Sequence, residues 1–359
     1  MIKKLLFLFL ISFFLFGFFS PSLAQEQELM EGEIVEVLAQ KEEFGQFYQE
    51  VSVLVKDGRF ADQKITVETG FYDPLTSQKF KVGDRVVLAL SVDEGGNNVF
   101  YIADYIRRPS LIVLLVIFVF LVIAVGGIKG FSSLIGLVLS FLVVGFLILP
   151  AINQGKDPVL VSVLSSVLMA PLLFYSAHGF NRKTTIAIVS TIIALSLTGI
   201  LAQVFVSWAN ISGFSSEEMG FLSFSRQGVF NPRGLVLAGI IIGVLGVLDD
   251  VTVSQSAIVE KLKKVDPKIG AKRLFAESLS VGRDHIASMV NTLVLVYTGA
   301  SLPLLLLFIN SAQKFSLIIN YEIIAEEIVR ILVGSIGLVL VVPIATFLAV
   351  VYFSKAKSS

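Results

Sequence analysis

The sequence predicts an α-helical polytopic membrane protein of about seven transmembrane helices, preceded by a signal peptide and a small extracytoplasmic all-β domain. Three observations carry this. Over the 359 residues, 55% are apolar and only 16% charged, where soluble domains carry about a quarter. The mean hydropathy is +0.84. The apolar residues are gathered into runs of membrane-spanning length after a first third that alternates apolar with polar.

The chain opens with Lys3 and Lys4, an apolar stretch from Leu5 to Phe19, and Ser22-Leu23-Ala24. A basic start, an apolar core and small residues at the inspected positions are the pattern of a signal peptide at residues 1–24. An uncleaved anchor helix is the alternative, and either delivers the adjoining domain across the membrane.

Residues 25–108 are the extracytoplasmic β domain. "EIVEVLA", "QEVSVLVK", "KITVET", "RVVLALSV" and "VFYIADYI" alternate or are rich in β-branched and aromatic residues. Asp57-Gly58, Asp73-Pro74, Val82-Gly83-Asp84 and Gly95-Gly96-Asn97-Asn98 separate them as turns. Five short strands suggest a small closed barrel or sandwich, with an OB-like barrel as one option. No convergent His, Ser or carboxylate set lies here, which points to binding or assembly, with another envelope protein as a candidate partner.

Residues 109–359 form the transmembrane domain, with spans expected near 110–127, 131–150, 158–177, 184–207, 234–256, 286–309 and 327–353. Each approaches the roughly 20 residues that a hydrocarbon core of about 30 Å requires. In lipid their backbone groups can be satisfied only within the segment, so they are helices. With the β domain outside, internal loops carry Lys129, Arg182, Lys183, seven basic residues between Lys261 and Arg283, Lys355 and Lys357. External loops carry only Lys156, Arg226, Arg233 and Lys314. This is the positive-inside bias, with Arg107 and Arg108 as exceptions. The C-terminus is therefore expected in the cytoplasm of a cell-membrane protein.

Composition also excludes functions. There is no cysteine and the net charge is zero, so disulfides, thiolate metal sites and a basic nucleic-acid footprint are not expected. With two histidines, His178 and His285, a multi-histidine metal site is excluded too. No cofactor, metal or catalytic residue is expected, and the lipid bilayer is the one certain partner.

The chemistry concentrates in "GVLGVLDDVTVSQS", Gly243 to Ser256. The 14 residues from Leu235 to Leu248 span roughly 21 Å as a helix, short of a bilayer core of about 30 Å. The helix must therefore continue past Asp249 and Asp250, which puts both carboxylates in the cytoplasmic half of the membrane. Such residues face a bundle interior or a watery cavity, whereas capping the helix end in the headgroups is the plainer alternative. Gly239, Gly243, Gly246, Asp250 and Ser254 share one face by their spacing, read as a helix-packing face delivering Asp250 into the contact. Asp249, Thr252, Ser256 and Glu260 share a neighbouring polar face.

The next span offers Asp284, Ser288, Asn291 and Thr298 on one face, with His285, Thr292 and Gly299 beside them. His285 reads equally as a snorkelling interfacial residue or a proton carrier, and Asn291 as a hydrogen-bonding group between helices. Lys268 to Gly282 before it is an amphipathic cytoplasmic stretch.

"GIIIGVLGVLDDVTVSQSAIVEKL" together with "VGRDHIASMVNTLVLVYTGASLPLLLLF" resembles the YibE/F family of bacterial multi-pass membrane proteins, over roughly residues 110 to 355. The resemblance implies a polytopic fold with a signal peptide and β domain ahead, and a permease description, but no catalytic residues. The function expected is a membrane transporter coupled to a cation or proton through Asp249 and Asp250, and not an enzyme. The alternatives are a scaffold or envelope-assembly protein and, further off, an intramembrane aspartyl protease. A reporter fused at Lys264 is predicted to be cytoplasmic and one after Asn310 external; labelling of Lys264 from outside would reverse the topology.

Overall fold

The computed structural model describes residues 28–43, 46–69, 79–92, 95–225, 231–309 and 313–355. The expected signal peptide lies outside them. The chain divides into two compact units, Met1–Leu121 and Val122–Ser359.

In the first unit five strands succeed one another: β1 (Leu29–Glu43), β2 (Gln46–Val55), β3 (Lys64–Thr69), β4 (Arg85–Val92) and β5 (Asn98–Tyr105). All pairs are antiparallel and the sheet runs β3-β2-β1-β4-β5. β1 is the spine. Its start pairs with both β2 and β4, from Leu29 opposite Ala89 to Glu33 opposite Arg85. Two register shifts, between Ile34 and Glu36 and between Val37 and Ala39, bend it. Bulges increase local twist, so the sheet curls into a half-barrel whose edges β3 and β5 approach without hydrogen-bonding to each other. The expected barrel or sandwich is thus an incompletely closed sheet.

The concave face holds Met30, Ile34, Val51, Val53, Val86, Leu88 and Ile102, all buried. Phe80 joins them, stacked on Tyr105 at 5.1 Å. A buried polar group completes this core. The Gln49 side chain accepts from the Phe80 N–H (2.7 Å) and donates to the Phe80 carbonyl (3.1 Å), doing for that loop what a neighbouring strand would do. Arg107 donates to Asp104 at 2.6 Å and Arg108 pairs with Glu31. The Arg107 guanidinium holds the Asp104 carboxyl below its ordinary range. Both exceptions to the positive-inside bias are thereby ion-paired within their own unit.

Five helical segments are long and apolar enough to cross a membrane, or six when one bent pair is counted as a span. They are α1 (Arg108–Asn153), α2 (Pro158–His178), α3 (Arg182–Trp208), α5 (Pro232–Val265) and α9 (Glu322–Lys355). The bent pair is α6 (Ala271–Ala300) with α7 (Leu302–Ile309). Short helices α4 (Glu217–Ser225) and α8 (Phe315–Ile318) lie in the connections.

The count differs from the expected seven because α1 contains two helices. At 46 residues a straight helix would be roughly 69 Å long, more than twice a bilayer core. Gly127 breaks it with φ 57° and ψ −137°, a conformation that side chains resist. A Cβ on Gly130 would collide with the Val122 carbonyl oxygen, whereas eight residues of straight helix separate their ends by about 12 Å. The chain therefore reverses at Gly126-Gly127.

The second break also differs from expectation. α6 begins at Ala271, so the amphipathic stretch and the expected span are one helix, which then turns by 67° into α7. Pro303 lies just beyond the bend; it lacks an N–H and disfavours helical geometry in the residue before it.

α5 is the axis of the second unit, packed against α2, α3, α6 and α9. Asn231 caps its start, accepting from the Gly234 N–H at 2.9 Å, and Pro232 occupies the first turn. Toward the other end, the buried Gln255 amide donates to the Ser278 carbonyl of α6 (2.8 Å) and the Thr346 hydroxyl of α9 (2.7 Å). Gly282 permits that approach: a Cβ there would lie 2.6 Å from Val342 Cγ1 and 2.9 Å from Gln255 Oε1. Between α9 and α3, Gly337 meets Thr198, whose Oγ1 would collide with an added Cβ.

These contacts predict two stability losses. Residues 25–106 expressed alone should give an all-β circular dichroism spectrum, and Gln49→Ala should lower urea stability by about 2–3 kcal/mol, because the Phe80 backbone groups lose their partner. In the intact protein in detergent, Gln255→Ala should cost about 1–3 kcal/mol for the carbonyl and hydroxyl it orphans, read as a lower melting temperature. An unchanged transition in either case would show that the amide is dispensable.

Candidate functional site

Asp249 and Asp250 are successive residues in the interior of α5, with helix continuing to Val265. The carboxylate pair therefore does not cap a helix end. The apolar turns before it and the run Val251-Thr252-Val253 after it keep the helix continuous, and neighbouring helices cover all but one strip of its surface.

The two aspartates have different surroundings. Asp249 is half-buried and its Oδ1 is fully buried, with no hydrogen-bond partner among the described residues. Asp250 is exposed. A buried carboxylate oxygen with no donor is costly, so the chemically demanding member of the pair is Asp249.

The glycine stripe explains the difference. Nothing comes within 4 Å of a Cβ placed on Gly239 or Gly246, and at Gly243 the sole neighbour is the Tyr297 hydroxyl at 3.0 Å. The face of Gly239, Gly243, Gly246 and Asp250 is thus the open strip of α5, not the packed face that its spacing suggested. Close helix contacts instead use Gly282, Gly334 and Gly337 on the partner helices.

The neighbouring polar face is the inward one. Thr252 is buried, and its hydroxyl lies 3.0 Å from that of Thr191 on α3. Thr252 donates to the Leu248 carbonyl at 2.9 Å. Its single proton is used there, so Thr191 is the donor between the two hydroxyls. Ser256 is fully buried, its hydroxyl without a partner among the described residues, and Ser254 is half-buried.

The α6 candidates are not brought to this face. Asp284, His285, Ser288 and Asn291 are exposed and Thr298 is half-buried. α6 packs through Ser278, Gly282 and Leu293, on the opposite side from the row Asp284, Ser288, Asn291.

Several groups escape a reading by periodicity. Gln255 sits inside the quoted motif, yet a single amide carries no periodic signal. Ser162, Ser165 and Ser166 of α2 are buried, their hydroxyls without partners among the described residues; their i, i+3, i+4 spacing is a legible cue. On α9, Glu326 accepts from Ser215 (2.5 Å) and Arg330 (2.6 Å), and the Glu322 carboxylate accepts from Ser212 and Gly213. Glu326 and Arg330 stand at i, i+4, a spacing that announces a pair. No group of three or more His, Cys, Asp or Glu residues suited to a metal ion occurs among the described residues.

Comparison with known proteins separates family from activity. No curated protein and no solved structure matches the chain. The sequence model of the YibE/F-like proteins matches residues 114–355, covering the reversal in α1, the aspartate pair and the whole of α9. The chain belongs to the YibE/F-like protein family.

Proposed function

We propose that this protein is a multi-pass transporter of the bacterial cell membrane, in which Asp249 binds and releases a proton or a small cation as part of the transport cycle. In this reading the signal peptide directs the β domain outside and the C-terminus stays in the cytoplasm. The protein acts without a cofactor and not as an enzyme, and the β domain is the surface through which another envelope protein docks.

The observation that carries the reading is the buried, unpartnered Oδ1 of Asp249 in the interior of a helix packed against four others. A merely structural carboxylate at such a depth is expected to have a donor, because an unpaired buried charge destabilises the bundle. Here the partner is supplied by what the carboxylate binds. Asp250, exposed beside it, adds negative potential that favours a cation or proton over an anion. The site residue is therefore Asp249, and Asp250 assists it, which reverses the ranking that the glycine spacing suggested.

The test uses the full chain reconstituted in liposomes that contain a pH-sensitive dye, with proton, sodium and potassium gradients imposed in turn. One of these should drive a signal in the unsubstituted protein. Asp249→Asn, which keeps shape but cannot change charge, should slow it by at least about tenfold, equivalent to roughly 1.4 kcal/mol in the barrier. Asp250→Asn should have the smaller effect. Equal rates for Asp249→Asn and the parent, at matched incorporation, would favour the scaffold reading instead.

A further inference from the structure

α2 buries its hydroxyls and exposes its apolar side chains. Ser162, Ser165 and Ser166 are 0–1% exposed, while Val163, Leu164, Val167 and Leu168 on the other face are 38–61% exposed. The buried face packs on α5 and α3. None of the three hydroxyls has a hydrogen-bond partner among the described residues, not even a carbonyl of its own helix. Some other buried hydroxyls of the bundle do find one, since Ser190, Thr198 and Thr346 each donate to the carbonyl four residues before, while Ser256, Ser278 and Ser335 are orphaned singly and not as a cluster. Three adjacent orphans on one face need a partner other than protein.

A cavity of about 180 Å³ lies at the start of the same interface, lined by Lys156, Asp157, Pro158, Asn231 and Leu235, among others. It has room for several water molecules. Its floor is where the two helices begin: Asp157 caps α2, Asn231 caps α5, and the two caps approach at 3.5 Å. Gly234 lets the helices close, since a Cβ there would lie 3.1 Å from Pro158 Cδ. From this common start the serines lie about 6–12 Å along α2, and Asp249 about 22 Å along α5. Between those depths Met169 and Ala170 close the interface. Pro171 comes next inside the helix, where its missing N–H leaves a carbonyl free and loosens the turn.

We propose that the interface of α2 with α5 is the outward water route to Asp249. Its mouth is the cavity, its lining is Ser162, Ser165 and Ser166, and its gate is the turn at Met169 to Pro171. The route rests on the transport reading of Asp249 and names the species it admits: water, and protons or a small cation carried with it. In the closed state the hydroxyls wait without partners; when α2 loosens at Pro171, water supplies them.

The chain contains no cysteine, so each single substitution places one thiol in an otherwise unreactive protein. Ser162→Cys, Ser165→Cys, Ser166→Cys, Leu164→Cys on the outward face, and Lys156→Cys at the mouth are treated in intact cells with a membrane-impermeant cationic methanethiosulfonate. Reaction at Lys156 and at the three serine positions, with none at Leu164, is the result expected. Inert cysteines at all three serine positions overturn the route, and an inert Lys156→Cys overturns the external mouth. Hydroxyl-radical footprinting of the unsubstituted protein gives a second reading without mutation. Oxidation of Met169, which is 4% exposed, is expected, and an unmodified Met169 counts against the gate. Neither measurement depends on turnover, so a chain that labels but dissipates no gradient keeps the route and loses the transport reading.

Discussion

One side-chain amide fixes the bundle near the aspartate pair. Gln255 gives both of its N–H donors away, to a carbonyl of α6 and a hydroxyl of α9, and Thr346 passes its own proton to the Val342 carbonyl at 2.7 Å. Three helices are thereby held in one relative register, six residues beyond Asp249. In an apolar surrounding no water replaces a lost donor, so such a junction is all-or-none. Gly282 is part of the same constraint, because any larger residue would separate α6 from the amide and from Val342. The identities of Gln255 and Gly282 are therefore explained together: one supplies the polar junction and the other lets the backbones come close enough to make it.

Much of the fold is legible in the residues alone. The five strands fall where alternation and turn residues put them, because a half-buried sheet obliges every second side chain to be apolar. The segment from Pro232 is legible through its cap, Asn231. Curvature and closure are not. The bulges in β1 leave no compositional mark, and whether β3 meets β5 depends on their accumulated twist. In the helices, Gly126-Gly127 marks the reversal. At Ser301 apolarity alone runs straight through Leu302 and Pro303, although the proline is the residue that signals a break.

The aspartate pair shows the limit most clearly. Periodicity says which residues share a face, and it correctly groups Gly239, Gly243, Gly246 and Asp250 apart from Asp249, Thr252 and Ser256. It does not say which face looks inward. In water the apolar face would decide the matter, but α5 is apolar nearly all round, so that information is missing. Small residues are the remaining guide, and they are ambiguous: a glycine admits a close neighbour, yet equally leaves an open strip when none arrives. The close neighbours of this bundle are admitted by glycines on α6 and α9, and by Gly234 at the start of α5. The serines of α2 are the better cue, since hydroxyls on one face with leucines on the other invert the order of a soluble helix.

The bend after Ala300 has a consequence for how such a protein sits. α6 is about 45 Å long over its 30 residues, but its apolar part, Ile286 to Ala300, covers only about 22 Å of that, so it makes a span only together with α7. α7 then departs at 67° as an almost uniformly aliphatic rod, with Leu302, Leu306, Leu307 and Ile309 each 59–76% exposed. Nothing polar along it favours one side, so it cannot ride half-submerged as an amphipathic helix would. In a bilayer such a rod would be held beneath the headgroups and would behave as a float. In a thicker or thinner bilayer it would move with the leaflet, and the lever it pulled would be α6, which Gln255 holds at Ser278.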